Sequence, residues 1–170
     1  MKFYLKEKLT FLYAKGEIFD ENEEVAYTFK NETLFLPKIT LMDRYGEEIG
    51  RVEKQFTLFL REYQIYLYDR YIDSIKQQFT FFRHELDFEK IGWKIEGDFL
   101  AWNYQIINDN DEIVADVHEE IFHFTKQYSI EVYDERNADL AILIVLAINQ
   151  FDKDNDAAQA SASSSHSSNN

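Results

Sequence analysis

The sequence predicts a mainly β domain: a closed antiparallel barrel that surrounds a central hydrophobic C-terminal helix. Apolar and polar residues alternate with a period of two along most of the chain, and short polar turns separate the alternating runs. Near the C-terminus, nine consecutive apolar residues, 140–148, leave no polar face. With 170 residues, 45% of them hydrophobic, the chain fits one domain with a sizeable core.

Alternation begins at the N-terminus, where Phe3, Leu5, Leu9 and Phe11 alternate with Tyr4, Lys6 and Lys8. Each such run predicts a strand with one buried and one solvated face. The apolar members of the later runs are Val25/Tyr27/Phe29, Ile39/Leu41, Val52/Phe56/Leu58, Tyr63/Ile65/Leu67, Ile75/Phe79, Trp93/Ile95, Tyr104/Ile106, Ile113/Ala115/Val117 and Tyr128/Ile130/Val132. We therefore expect roughly ten to twelve strands.

Short acidic turns join these runs. They occupy residues 20–23, 43–46, 69–70, 108–111 and 134–137. Asp and Asn tolerate turn geometry and hydrogen-bond to nearby backbone, so these segments predict antiparallel hairpins in a meander. A weak internal repeat of about 23 residues is compatible with either a solenoid or a closed barrel. The apolar C-terminal run favours the barrel, because a closed sheet has an interior that can hold it.

The C-terminal run predicts a buried helix over residues 139–151, with Asp139 as its N-cap. Its apolar part would be about 13 Å long, well short of a membrane span. The expected core residues are Leu140, Ile142, Leu143, Ile144, Val145, Leu146 and Ile148. Residues 1–151 would form the barrel domain. Residues 152–170, rich in Ser, Ala, Asn and Asp, are expected to be a disordered tail.

Charge and composition limit the classes of partner. The formal net charge of −14 argues against binding to nucleic acid or anionic membrane surfaces. The absence of cysteine excludes disulfides and thiolate zinc sites, and the N-terminus lacks a signal-peptide core. We therefore expect a cytoplasmic protein, with membrane association as an alternative. Lys2, Lys6 and Lys8 share one face of the first strand, and this face is expected to be simply solvated.

Three segments carry a family resemblance: residues 92–99 (Gly-Trp-Lys-Ile-Glu-Gly-Asp-Phe), residues 104–107 and the closing apolar helix. Together with the repeated strand–acidic turn–strand order, they resemble the LURP-one-related proteins, of the small bacterial type, over about residues 1–151. That family is grouped with tubby C-terminal domains and phospholipid scramblases. The resemblance implies a twelve-stranded barrel around a central helix, with Trp93, Gly97 and Phe99 as a structural motif.

The functions of these relatives transfer only in part. Tubby domains bind phosphoinositides through basic residues on the barrel wall, and this sequence shows no matching Lys/Arg cluster. Scramblases carry a calcium-associated acidic segment before the last helix. Asp134, Glu135 and Asp139 occupy the equivalent region but lack its fuller pattern, so we interpret them as a turn and a helix cap. The resemblance therefore implies a small intracellular protein without an established activity.

Candidate metal ligands do not form a convincing pattern. His118 and His123 are five residues apart, whereas a metalloprotease helix needs four, and on a strand they would point to opposite faces. Residues 152–156 resemble the start of an EF-hand loop, but Ala157 replaces the turning glycine and Ser163 the bidentate glutamate. We predict no metal and no cofactor.

Catalytic patterns are equally weak. The pairs Glu23/Glu24, Glu47/Glu48 and Glu119/Glu120 are neighbours in sequence, so on a strand the members of each pair would diverge. No glycine-rich phosphate loop occurs, and Ser74 and Ser129 lie mid-strand without a nucleophile elbow. We expect Trp93 to lie in the core. The alternative is that Trp93 and Trp102 stack on a ligand.

These observations favour a non-enzymatic domain that acts through its outer surface as an interaction or lipid-associated module. The partner is unknown, and the acidic exterior makes a basic protein a better fit than anionic lipid. Two alternatives remain: a scramblase-like or phosphoinositide-binding-like membrane-associated protein, and a hydrolase or small-molecule carrier.

Overall fold

The computed structural model describes residues 1–6, 15–32, 37–56, 61–76, 85–99, 101–122 and 125–164. They form twelve strands and one long helix. Ten of these strands contain the predicted alternating runs, whereas the strands Lys15–Phe19 and Glu85–Phe88 were not predicted. The predicted strand positions Leu9, Phe11, Leu58 and Phe79 lie outside the described residues. The strands are β1 (Lys2–Lys6), β2 (Lys15–Phe19), β3 (Val25–Asn31), β4 (Lys38–Asp43), β5 (Glu48–Phe56), β6 (Arg61–Leu67), β7 (Arg70–Lys76), β8 (Glu85–Phe88), β9 (Trp93–Asp98), β10 (Asn103–Ile107), β11 (Ile113–Phe122) and β12 (Thr125–Val132). A single 3₁₀ turn, Glu135–Asn137, leads into α1 (Ala138–Ser164).

The strands form one antiparallel sheet that curls into a nearly closed barrel. Neighbours in sequence pair with each other, and β1 pairs with β12, where Phe3 lies opposite Ile130. The edge strands β7 and β8 share no backbone ladder in the described part of the chain. Instead, the buried Asp73 carboxylate on β7 accepts backbone N–H groups from Lys90 (2.7 Å) and Ile91 (3.1 Å), just after β8. The prediction of a mainly β antiparallel barrel is confirmed.

Helix α1 lies inside this barrel. Ten consecutive residues, 141–150, are buried, so every side of the helix is covered. All the predicted core residues except Leu140 are at most 1% exposed, and Leu140 packs partly buried against the core. None of the helices in the described residues has both the length and the apolar content that a membrane crossing requires.

Two glycines allow close approaches that a side chain would block. A Cβ at Gly50 on β5 would overlap with Leu143 of α1 and lie 2.7 Å from the Tyr66 carbonyl oxygen. Gly97 on β9 has a φ of +120°, and its Cβ would lie 2.9 Å from Cα of Tyr104 on β10. Glycine at position 97 is therefore required by both backbone conformation and packing. Its motif partners, Trp93 and Phe99, pack partly buried against the core.

The bounds of the helix correct two predictions. Asp139 is not the N-cap: Asp134 caps the 3₁₀ turn by accepting the Arg136 backbone N–H, and α1 begins at Ala138. The predicted end at residue 151 is also wrong, because the helix continues through 152–164, which we expected to be disordered. Alanine-rich sequence from residue 157 onward supports helix once the buried part has nucleated it. Residues 165–170 lie outside the described residues.

Polar contacts hold the first residues beyond the apolar run against the barrel. The Asp154 carboxylate accepts hydrogen bonds from the Tyr63 hydroxyl (2.5 Å), Lys54 Nζ and Gln150 Nε2. The Asp154 carbonyl accepts a further bond from Arg61. Burial, followed by the Asp154 carboxylate, raises the pKa of Tyr63. The folded unit therefore extends at least to Asp154.

One strand also departs from the predicted alternation. Ile113 was expected in the core, but it is exposed, whereas Val114 and Ala115 are buried. The pairing of β10 with β11 shifts between Ile106 and Ile107, which lie opposite Ala115 and Ile113. A β-bulge of this kind changes which residues face inward.

Candidate interaction surface

The topology gathers the acidic turns at one end of the barrel. In an antiparallel meander every second connection lies at the same end, and here that is the end at which α1 begins. We call this set of connections the acidic rim. It consists of residues 20–24, 43–48, 68–71, 89–92, 108–112 and 133–137. The connections at the opposite end lie wholly or partly outside the described residues.

Most of the excess negative charge of the protein belongs to this rim. Its residues include 14 acidic and 4 basic side chains, a formal net charge of −10 out of −14 for the whole chain. Charges concentrated on one surface produce a local potential that attracts cationic partners and speeds their encounter. The rim is therefore the strongest electrostatic feature of the described residues.

Three of the rim turns share one rigid construction. In each, the first side chain accepts hydrogen bonds from the backbone N–H groups two and four residues later. Asp20 bonds in this way to Asn22 (2.9 Å) and Glu24 (3.0 Å). Asp43 and Asn108 make the same pair of bonds in their turns, at 2.9–3.0 Å. The first residue thereby fixes the loop, and the remaining side chains are held outward.

The fourth residue of each of these turns has a left-handed backbone. Its φ is +62° at Glu23, +83° at Gly46 and +59° at Asp111. Its N–H donates to the carbonyl of the first residue at 3.0–3.1 Å. This is the geometry of a tight loop followed by a bulge, and each loop is flanked by a register shift in the adjoining ladder. Only Gly46 adopts it without steric cost.

At the centre of the rim, two tyrosine hydroxyls meet the start of α1. Tyr27 Oη donates to Asp139 Oδ1 at 2.8 Å, and Tyr68 Oη donates to Asp139 Oδ2. Burial, then the bond to Asp139, raises the pKa of Tyr27; the bond to Asp139 is the main cause of the raised pKa of Tyr68. Tyr68 and Asp69 form a two-residue hairpin turn, both with positive φ. Asp139 thus ties the helix to two different walls of the barrel.

Exposed tyrosines accompany the carboxylates. Tyr45 is 84% exposed and Tyr68 60% exposed, on the neighbouring 43–48 and 68–71 turns. Ile113 and Tyr133 are exposed at the other side of the rim, where Tyr133 donates to Asp116 at 2.6 Å. This bond raises the pKa of Tyr133 to about 12.

Near Ile113 the rim has a shallow depression of about 370 Å³. Its polar lining includes Glu112, Asp134 and Arg136. The guanidinium of Arg136 bonds the Asp134 carboxylate and lowers the pKa of that carboxyl to about 2. This carboxylate is therefore already paired with an internal cation, as Asp69 is with Arg51 and Asp111 with Lys94 elsewhere on the rim.

The structure disperses the residues that were considered, and rejected, as metal ligands. Within the described residues, no group of three or more His, Cys, Asp or Glu side chains could hold a metal ion. His118 bonds Asn103 on the outer wall at 3.0 Å, and His123 lies outside the described residues. Asp134 and Glu135 belong to the turn before α1. Residues 152–156 are helical and do not form an EF-hand-like loop.

The remaining candidates also separate. Glu23, Glu24, Glu47 and Glu48 lie on the rim, whereas Glu120 pairs with Lys2 at 3.0 Å, which lowers the pKa of Glu120. The side chain of Lys6 and all of Lys8 lie outside the described residues. Ser74 and Ser129 are buried on β7 and β12. Trp102 is buried and stacked on Tyr128 (ring centroids 3.8 Å apart), so it belongs to the core.

The rim itself was missed at the level of sequence, although each turn in it except residues 89–92 was located. The signal was present: in a meander, turns of the same parity meet at one end, and the acidic turns all have that parity. The order and direction of the strands bring these turns together, so no sequence motif marks the rim.

The fold and surface define a class of small, mainly β barrel with a filled interior. The family model for LURP-one-related proteins matches residues 1–149, and the chain belongs to the LURP-one-related family. No curated protein and no solved structure matches the chain.

Proposed function

We propose that this protein is a non-enzymatic binding domain, and that its acidic rim contacts a basic surface of a protein partner. The observation that carries this proposal is the net charge of −10 collected on one end of the barrel, where three of the six turns are rigid and hold their remaining side chains outward. Preorganised charges bind with a smaller entropic cost than charges on loops that must first be ordered.

The filled interior supports the same proposal. Carrier barrels hold their ligand inside. Here the space inside the barrel is occupied by the side chains of residues 141–148 and by large wall residues such as Tyr63 and Tyr104. Binding at the outer surface is then the function that the fold serves best. The same acidic charge disfavours anionic lipid headgroups.

Charge reversal tests the proposal. The rim variant carries Glu21→Lys, Glu47→Lys and Asp109→Lys, all exposed turn residues. The matched control carries the same number of reversals on the outer walls: Glu17→Lys, Glu62→Lys and Asp87→Lys. Binding to a peptide of alternating Arg and Ser is measured by calorimetry at several salt concentrations.

We expect the wild-type protein and the control variant to bind the peptide, with affinity falling as salt rises, and the rim variant to lose most of this affinity. Equal losses in the two variants would contradict a role for the rim. Sedimentation of the wild-type protein with phosphatidylserine vesicles at physiological salt, without peptide binding, would instead favour the lipid-associated alternative.

A further inference from the structure

Around the rim, charge and aromatic exposure are unevenly distributed. Residues 20–24, 43–48 and 68–71 lie on consecutive turns and form what we call the tyrosine arc. This arc contains 8 acidic and 2 basic residues, whereas the other three turns contain 6 and 2. Among the tyrosines of the described residues, it also carries the two most exposed, Tyr45 and Tyr68.

Contacts between neighbouring turns hold this arc together. Arg51 on β5 reaches Asp69 of the 68–71 turn at 2.7 Å, and the backbone N–H of Tyr68 donates to the Ile49 carbonyl at 2.9 Å. The charge of Asp43 contributes to the raised pKa of Tyr68, although less than the Asp139 hydrogen bond and burial do. Tyr68 therefore lies close to the turn that carries Tyr45.

The adjoining outer wall already packs cations on tyrosine rings. The guanidinium of Arg51 lies 4.4 Å from the ring centroid of Tyr66, and Lys90 Nζ lies 4.4 Å from that of Tyr71. The two rings meet edge to face, with centroids 5.7 Å apart. A cation over the face of an aromatic ring gains electrostatic stabilisation from the ring quadrupole.

We infer that the tyrosine arc is the specific docking point for a Lys- or Arg-bearing segment of the partner, with Tyr45 as its aromatic anchor. This inference rests on the proposed function. Tyr45 projects from a turn that Asp43 fixes, and the exposed carboxylate of Glu47 belongs to the same turn. A cationic side chain placed on the Tyr45 ring is thus close to compensating negative charge. Tyrosine and carboxylate together discriminate such a segment from a neutral or acidic one.

On the opposite part of the rim, Tyr133 provides a matched comparison. It too is an exposed tyrosine among acidic turns, but it is less exposed than Tyr45 and its hydroxyl is bonded to Asp116. Each of the two turns carries one arginine, Arg44 beside Tyr45 and Arg136 after Tyr133, so arginine does not distinguish the two sites. The three turns on the side of Tyr133 carry the smaller net charge, −4 against −6 for the tyrosine arc. If general negative charge were sufficient for binding, the two tyrosines would contribute equally.

The test measures binding of the alternating Arg/Ser peptide by full-length Tyr45→Ser, Tyr45→Phe and Tyr133→Ser variants, with chemical shift mapping on the wild-type protein. Because Tyr45 is 84% exposed, its replacement leaves the core unchanged. We expect Tyr45→Ser to weaken binding about tenfold, in the range of a cation–π contact. Tyr45→Phe should retain most of the affinity, because it keeps the ring, and Tyr133→Ser should bind as the wild type does.

Unchanged affinity in Tyr45→Ser, an effect at least as large in Tyr133→Ser, or shift changes centred on residues 108–112 would overturn the docking point. If any of these results is obtained while the rim charge-reversal variant still fails to bind the peptide, the proposed function is retained. Failure of the wild-type protein to bind the peptide at all would instead overturn the proposed function itself.

Discussion

Gly50 on β5 is the position at which one added methyl group tests the packing of α1 against the barrel wall. In Gly50→Ala the new Cβ meets the Leu143 side chain and lies 2.7 Å from the Tyr66 carbonyl oxygen. Overpacking of this kind costs about 1–3 kcal/mol. Alanine offsets about 0.4–1 kcal/mol of this by restricting the unfolded chain. We expect a net destabilisation of about 1–2 kcal/mol.

A second substitution locates the source of this cost. Leu143 is fully buried, so Leu143→Ala alone should lower the free energy of unfolding by about 2–5 kcal/mol. In the double variant the clash with Leu143 is gone and only the approach to the Tyr66 carbonyl remains. Gly50→Ala should therefore cost about 1 kcal/mol less in the Leu143→Ala background, within the range of coupling between contacting residues.

Urea unfolding, followed by the fluorescence of Trp93 and Trp102, measures all four proteins of this cycle. Equal urea dependence of the unfolding free energy across them is needed for the comparison. If Gly50→Ala were neutral, or equally destabilising in both backgrounds, β5 and Leu143 would not be in contact, and the position of α1 within the barrel would be wrong.

Three further predictions concern the helix end, the turns and the rim. Deleting residues 157–170 should leave the melting temperature nearly unchanged. Deleting 152–170 also removes Asp154, whose carboxylate accepts hydrogen bonds from Tyr63 and Lys54, and should cost about 2–3 kcal/mol. Equal melting temperatures in the two deletion variants would show that these contacts are unimportant. In the turns, Gly46→Ala should destabilise the protein by about 1 kcal/mol, because a Cβ there has open space but the backbone is left-handed. Glu23→Gly should be neutral or stabilising, because glycine adopts the left-handed backbone of that position without steric cost. Both effects are measured as shifts of the urea unfolding midpoint. The Tyr133 hydroxyl should titrate near pH 12, measured as the difference in tyrosinate absorbance between the wild-type protein and Tyr133→Phe. Because its pKa is raised, its contribution to stability is complete below pH about 10 and is lost as the pH rises through about 12. A normal Tyr133 titration would exclude the bond to Asp116.

The alternation of apolar and polar residues was sufficient to predict most of the strands, because burial of one face of a strand imposes a period of two. The pairs Ile39/Leu41 and Tyr63/Ile65 are buried as that period requires. It failed at Ile113, because a bulge shifts the register, and periodicity carries no information on where an extra residue is accommodated. The helix end failed for a related reason. Asp154 is polar, and only its contacts with Lys54 and Tyr63 show that it belongs to the folded unit.

By itself, the sequence determined the class of the domain. Its alternation, turn residues and one apolar run allow few arrangements other than a β-sheet closed around a helix, because that run must be buried on every side. Tertiary structure alone decided the surface. Residues 20–24 and 108–112 are far apart in sequence, and only the up-and-down path of the strands places them at one end. Long-range placement of charge depends on strand direction and on closure of the sheet, which a linear pattern of residues does not encode.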